Sequence, residues 1–281
     1  MSWRIAVSHR SHYRYAGPVG KSYNEARITP LTTTTQLVLE SAVAVTPATR
    51  PYRYIDYWGS IVHAFDVHEA HTDLVVTGAS TVETSVLVAA AAPVGWDVLA
   101  DAQRLDDFAE VLAPTRAVPV DDRLVAVAAE LRAAAATPDD AARAAAGWVH
   151  DQLRYLPGST GVHTSAVEAW DGGAGVCQDF AHLTLAVLRA AGIPARYCSG
   201  YLHPNADAGV GQRLLGESHA WVEWWTGDWR GFDPTSGWPV GERHVLVARG
   251  RDYTDVAPFK GVIDGGPTAG LSVEVALTRV G

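Results

Sequence analysis

The chain has 281 residues, 48% of them hydrophobic and 19% charged, which suits a globular protein of one or two domains and excludes a disordered tail or a fibre. A formal net charge of −9 and a pI of about 5.6 leave no basic footprint for nucleic acid or an anionic membrane surface, so neither is expected as a partner. The opening "MSWRIAVSHRSHYRY" lacks the apolar run of a signal peptide, and no later stretch reaches the roughly 18 apolar residues of a membrane span, so a cytoplasmic location is expected.

From Ser2 to about Thr84 the text is strand-like. Segments such as "TQLVLESAVAVTP" and "TDLVVTGASTVETS" alternate or carry β-branched residues between Gly and Pro punctuation, which predicts an antiparallel, sandwich-like β domain over residues 1–100. Mixed Ala, Pro and Asp text then predicts a linker at 101–118 and a second domain at 119–281. That second part opens with two helices. In "TPDDAARAAAGWVHDQLRY" Thr137 is the N-cap, Pro138 takes the first helical position and Asp140 completes a capping box. Phe180, Leu183, Val187 and Ala191 recur at helical spacing before "AGIP" stops the helix, and "ARYCSGYL", "SHAWVEWW" and "WRGFDPTSG" follow as short strands. Helix first and antiparallel strands afterwards is an α+β layout.

Two cysteines are too few for a disulfide framework, so each needs its own explanation. Cys177 follows the glycine-rich "DGGAGV" and begins a helix, where the helix dipole and unpaired N–H groups stabilise a thiolate. The alternative for such a residue is a small buried hydrophobe. A nucleophilic thiolate needs a histidine, and that histidine needs an acceptor to hold its ring. "ESHAWVEWW" offers His219 at a strand start, and "GFDPTSG" offers Asp233 at the end of the next strand. The "TGDW" turn between them predicts a hairpin that makes the two cross-strand neighbours. Cys198, in a strand, is expected to be structural, Asp179 to satisfy backbone donors at the helix start, and His182 to be a core or cleft-wall residue. Cys177, Cys198 and His219 lack the paired spacing of zinc sites, and His68 with His71 supplies too few ligands, so no metal is expected.

In "GVCQDFAHL", "SHAWVE" and "FDPT" the chain resembles the transglutaminase-like superfamily of cysteine enzymes. "YRYAGPVGKSYNEARITP", "DYWG", "GRDYTDVAPFKG" and the terminal "LSVEVALT" resemble its bacterial branch, which carries an N-terminal β domain. The resemblance implies a papain-like core, with Cys177 as nucleophile, His219 as base and Asp233 as orienting acid, and no cofactor. It implies acyl transfer at a peptide or isopeptide amide through a thioester, with a peptide or protein as substrate, and hydrolysis as the expected outcome. The alternatives are a protein-glutamine transglutaminase that forms cross-links and, from another class, a non-catalytic peptide-binding module. Tyr155 and His163 are candidate second donors to the oxyanion, beside the Cys177 backbone N–H. Gln178 stands where animal transglutaminases carry tryptophan, and no acidic loop resembles their calcium sites. Gln178, Trp221, Asp252 and Tyr253 complete the expected substrate contacts, the last two on a segment that covers the cleft.

Overall fold

In the computed structural model, which describes residues 2–86 and 92–281, five strands come first. They are β1 (Ser2–Ala26), β2 (Gln36–Thr46), β3 (Tyr52–Ile55), β4 (Ile61–Val67) and β5 (His71–Ser85). Trp3, Ile5, Val7, His9 and Ser11 are buried while the residues between them are not, the period of two that makes β1 a strand with one core face. Short helices α1 (Trp96–Leu99), α2 (Ala102–Asp107) and α3 (Ala109–Leu112) precede the long α4 (Asp122–Ala134) and α5 (Pro138–Gln152). Next are β6 (Arg154–Tyr155), α6 (Ala166–Gly172), β7 (Ala174–Gly175) and α7 (Cys177–Ala190). The chain continues through β8 (Ala195–Leu202), β9 (Arg213–Gly216), β10 (Ser218–Trp225), β11 (Trp229–Asp233), β12 (Trp238–Pro239) and β13 (His244–Gly250). It closes with α8 (Tyr253–Val256), β14 (Phe259–Gly265) and β15 (Thr268–Arg279).

Hydrogen bonds join eight strands into one antiparallel sheet of order β2-β5-β1-β15-β9, with β14 and β4 on the far half of β1 and β3 on β4. β1 is long enough to serve both halves. It pairs in unbroken register with β5 and β15 as far as Arg14, keeps single pairs beyond the register breaks at Tyr15–Thr268 and Val19–His71, and pairs through its end with β4 and β14. Tyr15, Val19, Phe65, Leu74 and Val76, from β1, β4 and β5, form a small core of their own beside this antiparallel sheet.

The second sheet, β12-β11-β10-β8-β13, is antiparallel and packs against α7, whose other sides meet α4, α5 and α6. The expected stripe on α7 understates its burial. Every residue from Gln178 to Arg189 is buried, which is the state of a helix enclosed on all sides. Burying each of Leu183, Leu185 and Leu188 stabilises the fold by roughly 1.5–3 kcal/mol. Thr137 and Asp140 cap α5 reciprocally, and Gly192, at φ +79°, ends α7 in the left-handed conformation that its sequence position predicts.

Two boundaries differ from expectation. The segment 101–118 is not a free linker, because α2 and α3 lie in it and Leu99, Val111 and Val118 around it are buried, two of them in the main core. The second domain does not run unbroken to residue 281, because β9, β14 and β15 return to the first sheet. The physical reason is shared burial: Trp3, Ile5, Val7 and Val82 of the first sheet belong to the same core as Phe180, Tyr197 and Val245. Among the described residues no helix is long and apolar enough to cross a membrane.

Candidate active site

The site begins with the cap of α7. Val176 is extended, and Asp179 Oδ2 accepts the Val176 N–H at 2.7 Å and the Thr160 hydroxyl at 2.5 Å. Asp179 is fully buried. Burial pushes its carboxyl up, and those two donors oppose the shift. A Cβ on Gly175 would sit 2.6 Å from the Asp179 Cβ, so this glycine is required by the close approach of the capping carboxylate. Cys177 follows, partly exposed. Among the described residues the backbone N–H groups of Cys177 and Gln178 have no acceptor, as expected of a first helical turn.

β10 supplies His219 and β11 supplies Asp233. Val222 lies opposite Phe232, so Asp233 lies opposite Trp221, and His219 reaches it along the strand diagonal rather than directly across. His219 Nε2 donates to Asp233 Oδ2 at 2.8 Å, which leaves Nδ1 as the ring nitrogen the carboxylate does not engage. Burial favours neutral His219, but hydrogen bonds and charge from Asp233 and Cys177 outweigh it and raise its pKa to about 10. Asp233 is 0% exposed. Burial penalises its charge, but His219 and His244 more than compensate and hold the carboxyl far below its usual range. The Thr235 and Ser236 N–H groups donate to its other oxygen, Oδ1, at 3.0 and 3.3 Å.

His244 is the residue that sequence reading passed over. Its Nε2 lies 3.6 Å from Asp233 Oδ2. It stands at the start of β13, at the opposite edge of the sheet from β12, and the segment 240–243 that joins those edges brings it to Asp233. "GERHVLVARG" carries no motif that would single it out. The nitrogen and oxygen ligand atoms of His219, Asp233 and His244 lie within 4.8 Å of one another, a spacing that could hold a cation. His244 Nδ1, however, accepts the Gly241 N–H at 3.2 Å, so the neutral ring carries its hydrogen on Nε2 and faces Asp233 as a donor rather than as a ligand.

The remaining expected contacts divide. β6 pairs with β7 and sets Tyr155 opposite Gly175, which brings its half-exposed phenol close enough to Cys177, Glu217 and Asp233 for their charges to add to burial in raising its pKa. His163 is exposed in the loop before α6, and among the described residues no hydrogen bond ties it to Cys177 or His219. Gln178 is buried, and its amide reaches the Gly161 carbonyl at 3.5 Å, which ties it to the 156–164 loop. Trp221 is 1% exposed. Its indole packs on the His244 and His219 rings, with Cys198 and Leu246 in the same cluster, because strand alternation turns it away from the open surface. Among the described residues the exposed tryptophan is Trp238, at 68%. Asp252 is buried and caps α8, while the Tyr253 N–H donates to His182 Nε2 and its ring packs on the main core. That segment is bound to α7, β8 and β13.

Comparison with known proteins places these motifs. The profile of the transglutaminase-like superfamily matches residues 125–234, and that of the bacterial transglutaminase-like N-terminal region matches residues 5–83. An uncharacterised protein of Mycobacterium leprae is 49% identical over 278 residues, 99% of each chain. Another, from Mycobacterium tuberculosis, is 32% identical over 92% of this chain and 87% of its own. The protein-glutamine gamma-glutamyltransferase of Pseudomonas aeruginosa is 35% identical over 120 residues, 40% of this chain and 18% of that one. A cysteine protease candidate from Cytophaga hutchinsonii, solved by crystallography, has a TM-score of 0.75 at 24% identity over 98% of this chain and 92% of its own, which shows a shared papain-like fold. With both family regions matched in order and a relative 49% identical over 99% of each chain, this chain belongs to the transglutaminase-like superfamily, in the bacterial branch with an N-terminal β region.

Proposed function

We propose that the protein is a cysteine-dependent amide hydrolase acting on peptide or isopeptide bonds of the glutamine type. The observation that carries this reading is His219 hydrogen-bonded at 2.8 Å to a fully buried Asp233, with Cys177 at the start of α7 near enough for its thiol to raise the proton affinity of that ring. The raised proton affinity of His219 favours an imidazolium beside the sulfur. In the first step Cys177 Sγ bonds to the carbonyl carbon, the C–N bond breaks, and the amine leaves with the proton of His219. Water then attacks the thioester as His219 takes its proton, releasing the acid and restoring the thiol. Asp233 keeps the ring oriented and compensates its charge. The Cys177 N–H and the Tyr155 hydroxyl are the proposed donors to the oxyanion. The partial exposure of Cys177 and His219 gives water access to the thioester, which supports hydrolysis. A thiol nucleophile is kept reduced in the cytoplasm, the proposed location.

Transamidation is the second reading, favoured by the similarity to the Pseudomonas gamma-glutamyltransferase. One experiment separates them: incubation of the protein and of Cys177→Ala with glutamine-containing peptides, with and without a primary amine, read by mass spectrometry. Acid products in both mixtures support hydrolysis, and an amine adduct replaces it with transfer. A peptide retained unchanged, with iodoacetamide labelling of Cys177 that is indifferent to His219→Ala, overturns catalysis in favour of a binding module.

A further inference from the structure

His244 has no place in the mechanism as stated, yet the fold sets it on the same carboxylate oxygen as His219. Asp233 Oδ1 is occupied by the N–H groups of the Thr235 turn, so the orientation of Oδ2 is decided by the two imidazoles. His219 Nε2 takes the short approach at 2.8 Å, and His244 Nε2 stands at 3.6 Å, beyond hydrogen-bond length and without any other partner. The Gly241 N–H fixes the His244 tautomer, because it can only donate, and Nδ1 must therefore be the unprotonated nitrogen. Trp221 packs on the ring in a T-shaped arrangement with centroids 5.3 Å apart, and the His244 side chain is 5% exposed. The charged and titratable groups that act on it are Asp233 from β11, His219 from β10 and Arg243 from its own turn. Burial, with the cations, keeps it neutral, while Asp233 opposes.

We infer that His244 is a positioning residue of the site: a neutral imidazole whose Nε2–H shares Asp233 Oδ2 with His219 and so moderates the hold of that carboxylate on the reacting ring. The inference rests on the proposed function for its mechanistic meaning, though its physical content concerns His219 and Asp233 alone. A general acid must release its proton to the leaving amine, and a carboxylate whose whole charge fell on His219 would retain it. The N–H of His244 draws part of that charge aside. When His219 has given up its proton and its pull on Oδ2 weakens, the gap to His244 can close, and Asp233 stays ionised and in place through the cycle.

The test is a set of substitutions at one position, read on the His219 ring itself by NMR of the isotope-labelled full-length protein. Gln carries its amide nitrogen near the place of Nε2, whereas Asn carries it near Nδ1, and Leu carries none. His244→Leu and His244→Asn should raise the His219 titration midpoint by roughly 0.5–1 pH unit, and His244→Gln should restore it to the wild-type value. A midpoint unchanged in folded His244→Leu overturns the inference, as does a Gln variant that behaves like Leu, since a packing role would not tell the two apart. Protection of Cys198 from iodoacetamide reports folding; if the Leu variant loses it, the contrast between Gln and Asn decides. Cys177 labelling in wild type against His219→Ala is run alongside. Loss of that dependence breaks the functional reading and leaves the NMR result to stand or fall independently.

Discussion

Cys177 and Cys198 lie on consecutive elements, α7 and β8, and the fold gives them opposite surroundings. Cys177 is partly exposed at a helix start, next to an imidazole held by a buried carboxylate. Cys198 is 0% exposed in the middle of a strand, clustered with Leu31, Trp221 and Leu246. Burial, with the charge of Glu223 added, pushes the Cys198 thiol well up, and Arg249 and Arg196, which oppose this, are already bound to that glutamate at 2.8 and 2.6 Å. The contrast teaches that thiol chemistry here follows from neighbours and access to water, and not from residue type.

The largest test of that contrast is paired removal. Cys177→Ala should lower amide turnover by about 10⁴-fold or more, and Cys198→Ala should leave it within about twofold while costing about 1–2 kcal/mol of stability. A turnover loss in the Cys198 variant, in rate assays matched by denaturant titration, would break the comparison. Next in size, Asp233→Asn should cost about 10³–10⁴-fold in turnover with the fold retained, because the ring loses its orienting acceptor. Circular dichroism must show the wild-type fold for that loss to count.

pH sharpens the same contrast. The His219 pKa is raised in the folded state, so its contribution to stability is complete below its unfolded value of about 6.5 and is lost as pH rises through about 10. Asp233 is depressed, so its contribution is present above the ordinary carboxylate range and fades as acid is added. The stability gap between wild type and Asp233→Asn should therefore be widest near neutrality and should narrow above about pH 10; a gap that stays constant with pH would sink the ion-pair account. The smallest expected effect is at the cap. Gly175→Ala forces Asp179 from Val176 and should cost about 1–3 kcal/mol, with a few-fold slower iodoacetamide labelling of Cys177 and none at Cys198. Unchanged labelling would show that the cap does not set the thiol's reactivity.

Much of this arrangement was legible in the chain because local rules wrote it. The capping box of α5, the glycine stop of α7, the alternation of β1 and the motifs around Cys177, His219 and Asp233 all act over a few neighbouring residues. The burial of Trp221 was not legible, because a tryptophan beside His219 looks like a cleft wall in text, whereas the register of β10 with β8 and β11 sets it in a buried cluster. Where the 250–261 segment is held follows from the contact between the Tyr253 N–H and His182, which no local pattern in the text announces.

By itself, the sequence determined the identities and local settings of the reacting groups: a cysteine at a capped helix start, a histidine at a strand start and an aspartate at a strand end. Tertiary structure decided which of them meet and what else joins them. The diagonal reach from His219 to Asp233, the arrival of His244 from the far edge strand, and the return of β14 and β15 to the first sheet all depend on pairing between segments distant along the chain. Such pairing is set by shared burial and strand register, for which no short stretch of residues carries the instruction.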